Sequence, residues 1–300
     1  MAGAIIDAHI HIWDFERASY SWLENDRTIL RRNYHIDELE NERLEAGVTG
    51  GILVQAANNL EDTDWMLAVA GDVPWIKGVI GWLPLTDPDE TGRLLEETYA
   101  RNPWFKGVRH LIHDEADPRW LLQDTVIESL RLLEKAGLVY EIVGVIPAHI
   151  ETALRVAEEV PGLRMVFDHL NQPPISTGRA SLTCDFASGA GALFGQWGEL
   201  MKTAAGSENF FVKVSGLGTA SHMGDRWQAE DIAPYVEFVL KHYGEGRCWC
   251  GGDWPVSLLA GNYTTTWKIY RQVLSGLLSE DAQERVLLGN ARDFYRLSAD

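Results

Sequence analysis

Cysteine is the first thing this sequence is short of. Its 300 residues hold three, Cys184, Cys248 and Cys250, too few and too odd in number for a disulfide framework. A reducing, cytoplasmic compartment is the matching expectation, and no stretch has the pattern of a secretory signal. Cys248 and Cys250 form a C-x-C within CWCGGDWP. Two thiolates do not close a zinc site, so they read as small buried apolar residues. Basic charge is scarce as well: 26 Lys and Arg stand against 44 Asp and Glu, a formal net charge of -18. Binding to nucleic acid or to an anionic membrane depends on a positive surface, and this balance argues against both. No apolar run approaches the roughly 18 residues that a membrane span needs. Linkers, low-complexity tracts and charge blocks are missing too, which leaves residues 1–300 as one domain with a small-molecule partner. Acidic charge does not choose between monomer and homodimer, so a homodimer stays open.

What the chain does have is apolar material, 46% hydrophobic with 12 Trp, laid out on a repeating plan. Short β-branched runs alternate with longer amphipathic segments, the pattern of βα units around a parallel sheet. The runs are IIDAHIHI at 5–12, VTGGILVQ at 48–55, WIKGVIGWL at 75–83, FKGVRHLI at 105–112, LVYEIVG at 138–144, LRMVFDHL at 163–170, FFVKVSGL at 210–217 and RCWCGGDW at 247–254. Between them lie helical segments such as DPDETGRLLEETYARN, QDTVIESLRLLEKAG, PAHIETALRVAEEVPG and AEDIAPYVEFVLKHYG. Asp-Pro opens the first, and Gly137 closes the second. Eight such units predict an α/β fold closed into a (β/α)8 barrel of about 250 residues plus loops. The rival is an open doubly wound sheet, but no G-x-G-x-x-G follows the first strand.

A barrel of this kind builds its site at the C-terminal ends of its strands. Strand one carries His9 and His11, strand four Arg109, His110 and His113, and strand five Glu141. Strand six ends with Asp168 and His169, strand seven holds Lys213 and Ser215, and strand eight ends with Asp253. Charged groups are rarely buried unless paired or metal-bound, so this gathering demands an explanation. By the period of two, Asp7, His9 and His11 share one face. Two imidazoles there suit Zn, Fe, Mn or Ni, and a carboxylate such as Asp253 would complete an N and O donor set. His110 and His113 cannot both point inward with Arg109 in a regular strand. His35, His149 and His242 read as solvated or capping residues, whereas His222, in GLGTASHMGDRW, overhangs the mouth. Loops after the strands are long, which predicts a shaped pocket. Trp13, Trp82, Trp120, Trp227 and Trp254 fall at that end, either packing loops or walling a ring-shaped substrate.

DAHIHIWD, GVRHLIHDEADPRWL, FDHLNQPPI, KVSGL, AEDIAPYVEFVL, GGDWPVSLL and GNARDFYRL together resemble the lactonase branch of the amidohydrolase superfamily. The likeness runs over essentially the whole chain, in order. That branch includes fucono- and rhamnono-lactonases, 4-sulfomuconolactone hydrolases and, more distantly, the pyrone-dicarboxylate lactonase. The resemblance implies a distorted (β/α)8 barrel that hydrolyses a ring ester. The superfamily's strand-one H-x-H maps onto His9 and His11, its strand-six histidine onto His169, and its strand-eight aspartate onto Asp253. Its G-x-R-H falls on Arg109 and His110, implying contacts to a substrate carboxylate or carbonyl. Lys106 begins its strand rather than ending it, and Glu141 stands where a strand-five histidine is usual, so a binuclear centre is not expected.

Taken with that resemblance, the expected reaction is hydrolysis of a sugar-acid lactone of the fucono-, rhamnono- or galactono- type. Asp253 is the expected base, with His169 and His110 assisting. One zinc-like divalent metal, or none, is expected on His9, His11, Glu141 and Asp253. Arg109, Trp13, Lys213, Asn171, His222 and Trp254 are the expected substrate contacts. A sugar ring is preferred because the pocket loops are rich in Trp, Asn and Gln but poor in the extra Arg that a dicarboxylate or sulfonate would want. The rival readings are a 4-sulfomuconolactone or other dicarboxylate lactone hydrolase, a metal-dependent non-oxidative decarboxylase, and a non-catalytic sugar-acid binding protein.

Overall fold

Parallel strands are buried on both faces, and the apolar runs of this chain supply such strands in sequence. A computed structural model describes residues 4–175 and 194–298; Cys184 lies outside them. Its strands are β1 (Ile5–Ile10), β2 (Val48–Val54), β3 (Ile76–Gly81), β4 (Phe105–His110), β5 (Val139–Ile142), β6 (Met165–Phe167), β7 (Phe210–Val214) and β8 (Cys248–Cys250). They pair in parallel in that order. The ring is nearly closed by a bridge of Ile10 to Trp254. There His11 N–H donates to the Trp254 carbonyl and Asp253 N–H to the His9 carbonyl, both at 2.7 Å.

Helices follow the strands, and their ends carry ordinary signals. The Asn59 side chain caps α1 (Leu60–Asp72) by accepting from Asp62 N–H, and Asp87 does the same for α2 (Pro88–Leu94). Helix α3 (Asp124–Ala136) ends at Gly137, and α4 (Pro147–Glu159) starts on proline. Then come α5 (Gly195–Ala205), α6 (Ala229–Tyr243) and α7 (Tyr263–Leu277). No described helix is long and apolar enough to cross a membrane.

Two apolar layers result. The larger lies between strands and helices and takes in Cys248 and Cys250; both thiols are buried and free, as their sequence context suggested. The smaller fills the barrel, where Ile6, Ala8, Ile52, Val54, Val166 and Trp249 meet Phe294 and Tyr295, which plug the bottom. Inside the barrel, the charged groups begin where Tyr295 of this plug meets Glu141.

Strand β1 departs from the simple period of two. Asp7 pairs with Gly51 and Ile10 with Leu53, so β1 spends one more residue than β2 over the same span. Such a bulge re-aims side chains beyond it. Ile6 and Ala8 face the barrel interior, whereas Asp7 faces outward and its Oδ2 accepts from the Tyr263 hydroxyl of α7 at 2.6 Å. Past the bulge, His9 and His11 both turn inward. The expected shared face of Asp7, His9 and His11 therefore holds for the two histidines and fails for Asp7.

Candidate active site

The bulge brings two imidazoles nose to nose: His9 Nε2 and His11 Nε2 stand 3.1 Å apart. His11 Nδ1 lies 2.7 Å from the Val54 carbonyl, an oxygen that can only accept. Its Nδ1 therefore carries the proton, and its Nε2 offers a lone pair. Burial pulls the pKa of His9 well below its usual value and lowers that of His11, so both rings are held neutral. Asp253 Oδ1 is 3.4 Å from His11 Nε2 and 3.7 Å from His9 Nε2. His169 Nε2 approaches the same oxygen at 3.9 Å.

Local backbone strain places these groups. Asp253 has φ 56°, and His169, Leu170, Asn171 and Gln172 form a left-handed run with φ 55°, 51°, 53° and 48°. Each such residue costs about 1–2 kcal/mol. Offsetting bonds hold the run: Gln172 N–H donates to the His169 carbonyl at 2.9 Å, and Trp197 Nε1 donates to the Leu170 carbonyl at 2.8 Å. Gly216, with φ +60°, passes between the catalytic candidates; a Cβ there would lie 2.6 Å from His169 Nδ1 and 2.9 Å from Asp253 Oδ2. Only glycine suits that close approach.

Beneath lies a fully buried charged layer. Lys213 Nζ donates to Glu141 Oε2 at 2.5 Å and sits 3.3 Å from both Asp168 Oδ1 and His9 Nδ1. Tyr295 donates its hydroxyl to Glu141 Oε1 at 2.5 Å. Arg109 Nη1 reaches Asp168 Oδ2 at 3.1 Å, while Nη2 donates to the Gln55 carbonyl. Burial pushes the Glu141 carboxyl up to about 7 even against the pull of Lys213. Burial also favours the neutral form of Asp168, but Lys213, His9 and Arg109 together hold its carboxyl well below the ordinary value.

Above this floor opens a cavity of about 270 Å³. Arg109, His169, His222 and Asp253 line it, as the sequence suggested, together with His11. Other expected contacts lie elsewhere. Trp13 is buried under the first loop, its Nε1 donating to the Arg32 carbonyl and its ring edge-on to Trp22 and Tyr34. Trp254 packs edge-on against Tyr34. His110 faces the helical layer, where Trp82 donates to its Nδ1, Glu115 meets its Nε2 at 2.7 Å and Trp120 stacks on its ring. Alternation in β4 requires this, since Arg109 points inward. Asn171 borders a neighbouring cleft. Lys213 and Glu141 are too deep to touch a substrate, and Glu141 is turned toward Lys213 and Tyr295 rather than toward His11 and Asp253.

Two lining residues escaped the sequence reading, Trp22 from the long loop after β1 and Gln172 from the left-handed run, whereas His113, already named at the end of strand four, lines the cavity from the short turn after β4. The loop length hinted at the first; nothing in residue type marked the second.

Three donors, His9, His11 and Asp253, can hold one metal ion. Ligand atoms about 2.0–2.1 Å from a tetrahedral zinc stand about 3.3–3.4 Å apart, close to the 3.1, 3.4 and 3.7 Å seen here. The tautomer of His11 and the neutrality of both rings suit the same purpose. A bond from Nδ1 to a carbonyl is the usual outer support of a metal-binding histidine.

Known proteins share this architecture. An L-fucono-1,5-lactonase of Burkholderia ambifaria is 31% identical over 97% of this chain and 95% of its own. Another, from Burkholderia multivorans, is 26% identical over 99% and 97%. An amidohydrolase crystal structure from Burkholderia multivorans, with zinc bound, is similar at a TM-score of 0.85 and 25% identity, covering 99% of this chain and 100% of that one. Residues 6–297 match the amidohydrolase family, and the chain belongs to it.

Proposed function

We propose that this amidohydrolase is a lactonase that opens the ring ester of a sugar-acid lactone. The observation that carries the reading is Asp253, a carboxylate held at the cavity floor against two neutral imidazoles and beside Arg109. Asp253 accepts a proton from the attacking water and returns it to the ring oxygen as the C–O bond breaks. Arg109 lines the cavity, and its guanidinium charge favours the oxygen on which negative charge develops. His169, anchored by Ser215 Oγ at 2.9 Å, lines the same cavity with its Nε2 3.9 Å from Asp253 Oδ1.

A zinc-like ion on His9, His11 and Asp253 would supply a Lewis acid able to generate hydroxide near neutral pH. The relative with bound zinc supports that assignment.

The substrate class rests on size, charge and kinship. The cavity is at the small end of ligand sites, suiting a single ring. Among the described residues lining it, Arg109 is the one Arg or Lys, and Asp168 already neutralises it. A dicarboxylate would find no second cation there. Kinship with L-fucono-1,5-lactonases favours a sugar lactone.

A pH-indicator assay over fucono-, rhamnono- and galactono-lactones, with hydroxybenzoates alongside, tests the proposal. Acid release from a sugar lactone is expected. Proton uptake with a hydroxybenzoate would replace this reading with decarboxylation. Binding of sugar acids without turnover would replace it with a binding protein. Chelation followed by metal analysis is expected to remove one ion together with activity, and full activity without metal would leave Asp253 and Arg109 as the whole machinery.

A further inference from the structure

His9 belongs to a second potential donor set. Besides the group facing the cavity, His9, Glu141 and Asp168 present ligand atoms within 4.8 Å of one another, all three residues fully buried. This set lies on the opposite edge of the imidazole, around Nδ1 rather than Nε2. It is not empty of charge. Lys213 Nζ stands among all three, at 2.5 Å from Glu141 Oε2, 3.3 Å from Asp168 Oδ1 and 3.3 Å from His9 Nδ1.

We propose that the Lys213 ammonium is the built-in second cation of this centre, and that removing it uncovers a divalent-metal site made of His9, Glu141 and Asp168. Two buried carboxylates side by side demand positive charge, because an unpaired buried charge costs several kcal/mol. Lysine supplies one charge on a stem that enters from β7, and Arg109 supplies the other through Asp168 Oδ2. The fit to an ammonium is incomplete. Asp168 Oδ1 is buried without a well-formed hydrogen bond, its contacts to Lys213 and His9 both exceeding 3.2 Å. That orphaned oxygen, the second carboxylate and an imidazole nitrogen form the mixed N and O set that divalent zinc or cobalt takes; with an ion already on His9 Nε2, binding at Nδ1 releases the remaining ring proton to solvent and leaves His9 as a bridging imidazolate. An ion there requires the three donors, now within 4.8 Å of one another, to draw in toward the spacing of about 3.3–3.4 Å around a tetrahedral zinc. Lys213 is accordingly a positioning residue: it orders His9 from below and keeps the centre to a single ion above.

The test is metal stoichiometry on purified protein. Lys213→Ala, prepared with zinc or cobalt, is expected to hold one more ion per chain than the native protein, whatever the native count. Its Tm should rise with added ion far more than that of native protein, and the cobalt form should show an added visible absorption band. The double variant Lys213→Met with Glu141→Gln removes one charge of each sign, and it is expected to fold without metal and gain no ion. Lys213→Ala that folds and gains no ion overturns the proposal. So does Lys213→Ala that stays unfolded in zinc and cobalt while the double variant folds, because an ion should have replaced the ammonium. Failure of the double variant to fold also overturns it, since the stem rather than the charge of Lys213 would then be what matters. None of these outcomes depends on which ester the enzyme opens.

Discussion

In the proposed reaction Asp253 and Arg109 divide the work at the cavity floor, and each makes a separate prediction. Asp253→Asn keeps the shape of the side chain but cannot take a proton, so turnover should fall about 10²–10⁴-fold with the thermal midpoint little changed. Steady-state kinetics beside a melting curve check both halves, and near-normal kcat would remove Asp253 from its role. Arg109 is different because it also holds Asp168 and the Gln55 carbonyl. Arg109→Met leaves a buried carboxylate without one of its partners, a loss of about 3–5 kcal/mol by comparison with other broken buried pairs. Arg109→Lys restores charge without the planar fork. Chemical denaturation should rank native above the lysine variant and the lysine variant above the methionine one, while kcat/KM falls in both.

At the scale of elements, the meeting of β1 with β8 decides whether His9 is aimed correctly. Gly251 lies against His9 so closely that a Cβ would fall 2.5 Å from His9 Cβ. Gly251→Ala should therefore cost about 1–3 kcal/mol through overpacking and lower kcat by displacing His9, measurable as a drop in Tm together with a loss of activity. A Tm equal to that of the native protein would show that the strands have slack there. This junction also marks what was legible in the sequence. Eight apolar runs located eight strands, because burial on both faces writes itself as uninterrupted β-branched stretches. Arg109, His169 and Asp253 were legible because charge at the end of such a run has few reasons to be there. Asp7 was misplaced because one extra residue in β1 shifts the phase, and nothing in IIDAHIHI distinguishes a bulged strand from a flat one. Trp13 and Trp254 were assigned to the wall because tryptophan packs loops and lines pockets with equal readiness. Gln172 was invisible because its place depends on four successive left-handed residues, none of them the glycine that usually announces that conformation.

For the whole molecule, the charged interior makes stability depend on pH. Asp7 ties the first strand to the last: its Oδ1 accepts from His9 N–H and Gly252 N–H, and its Oδ2 from Tyr263. Burial nonetheless raises its carboxyl from 3.8 to about 7. A group raised in this way binds its proton more tightly in the folded chain, so its contribution to stability falls as pH climbs from about 4 to about 7 and is level above. Asp7→Asn lacks that step. The difference in unfolding free energy between native and variant should shift by an amount on the order of 4 kcal/mol across that window, in favour of the variant at the higher pH. Parallel profiles from pH 4 to 8 would show that Asp7 keeps an ordinary carboxyl. The histidines act in the opposite sense. Burial lowers the pKa of His9 and His11, so their contribution is complete above about 6.5 and is lost as pH falls.

The contacts that complete the floor also impose an order in time. Asp253 meets His9 across 244 positions of chain, and Tyr295 meets Glu141 across 154. During synthesis from the N-terminus, the histidines and Glu141 emerge long before the groups that neutralise or orient them. A partly made chain therefore carries polar groups inside an unfinished barrel with nothing to pair them, and no subset of strands reproduces the site. Activity should appear in a single step, after Tyr295 has cleared the ribosome, rather than growing as the barrel is assembled.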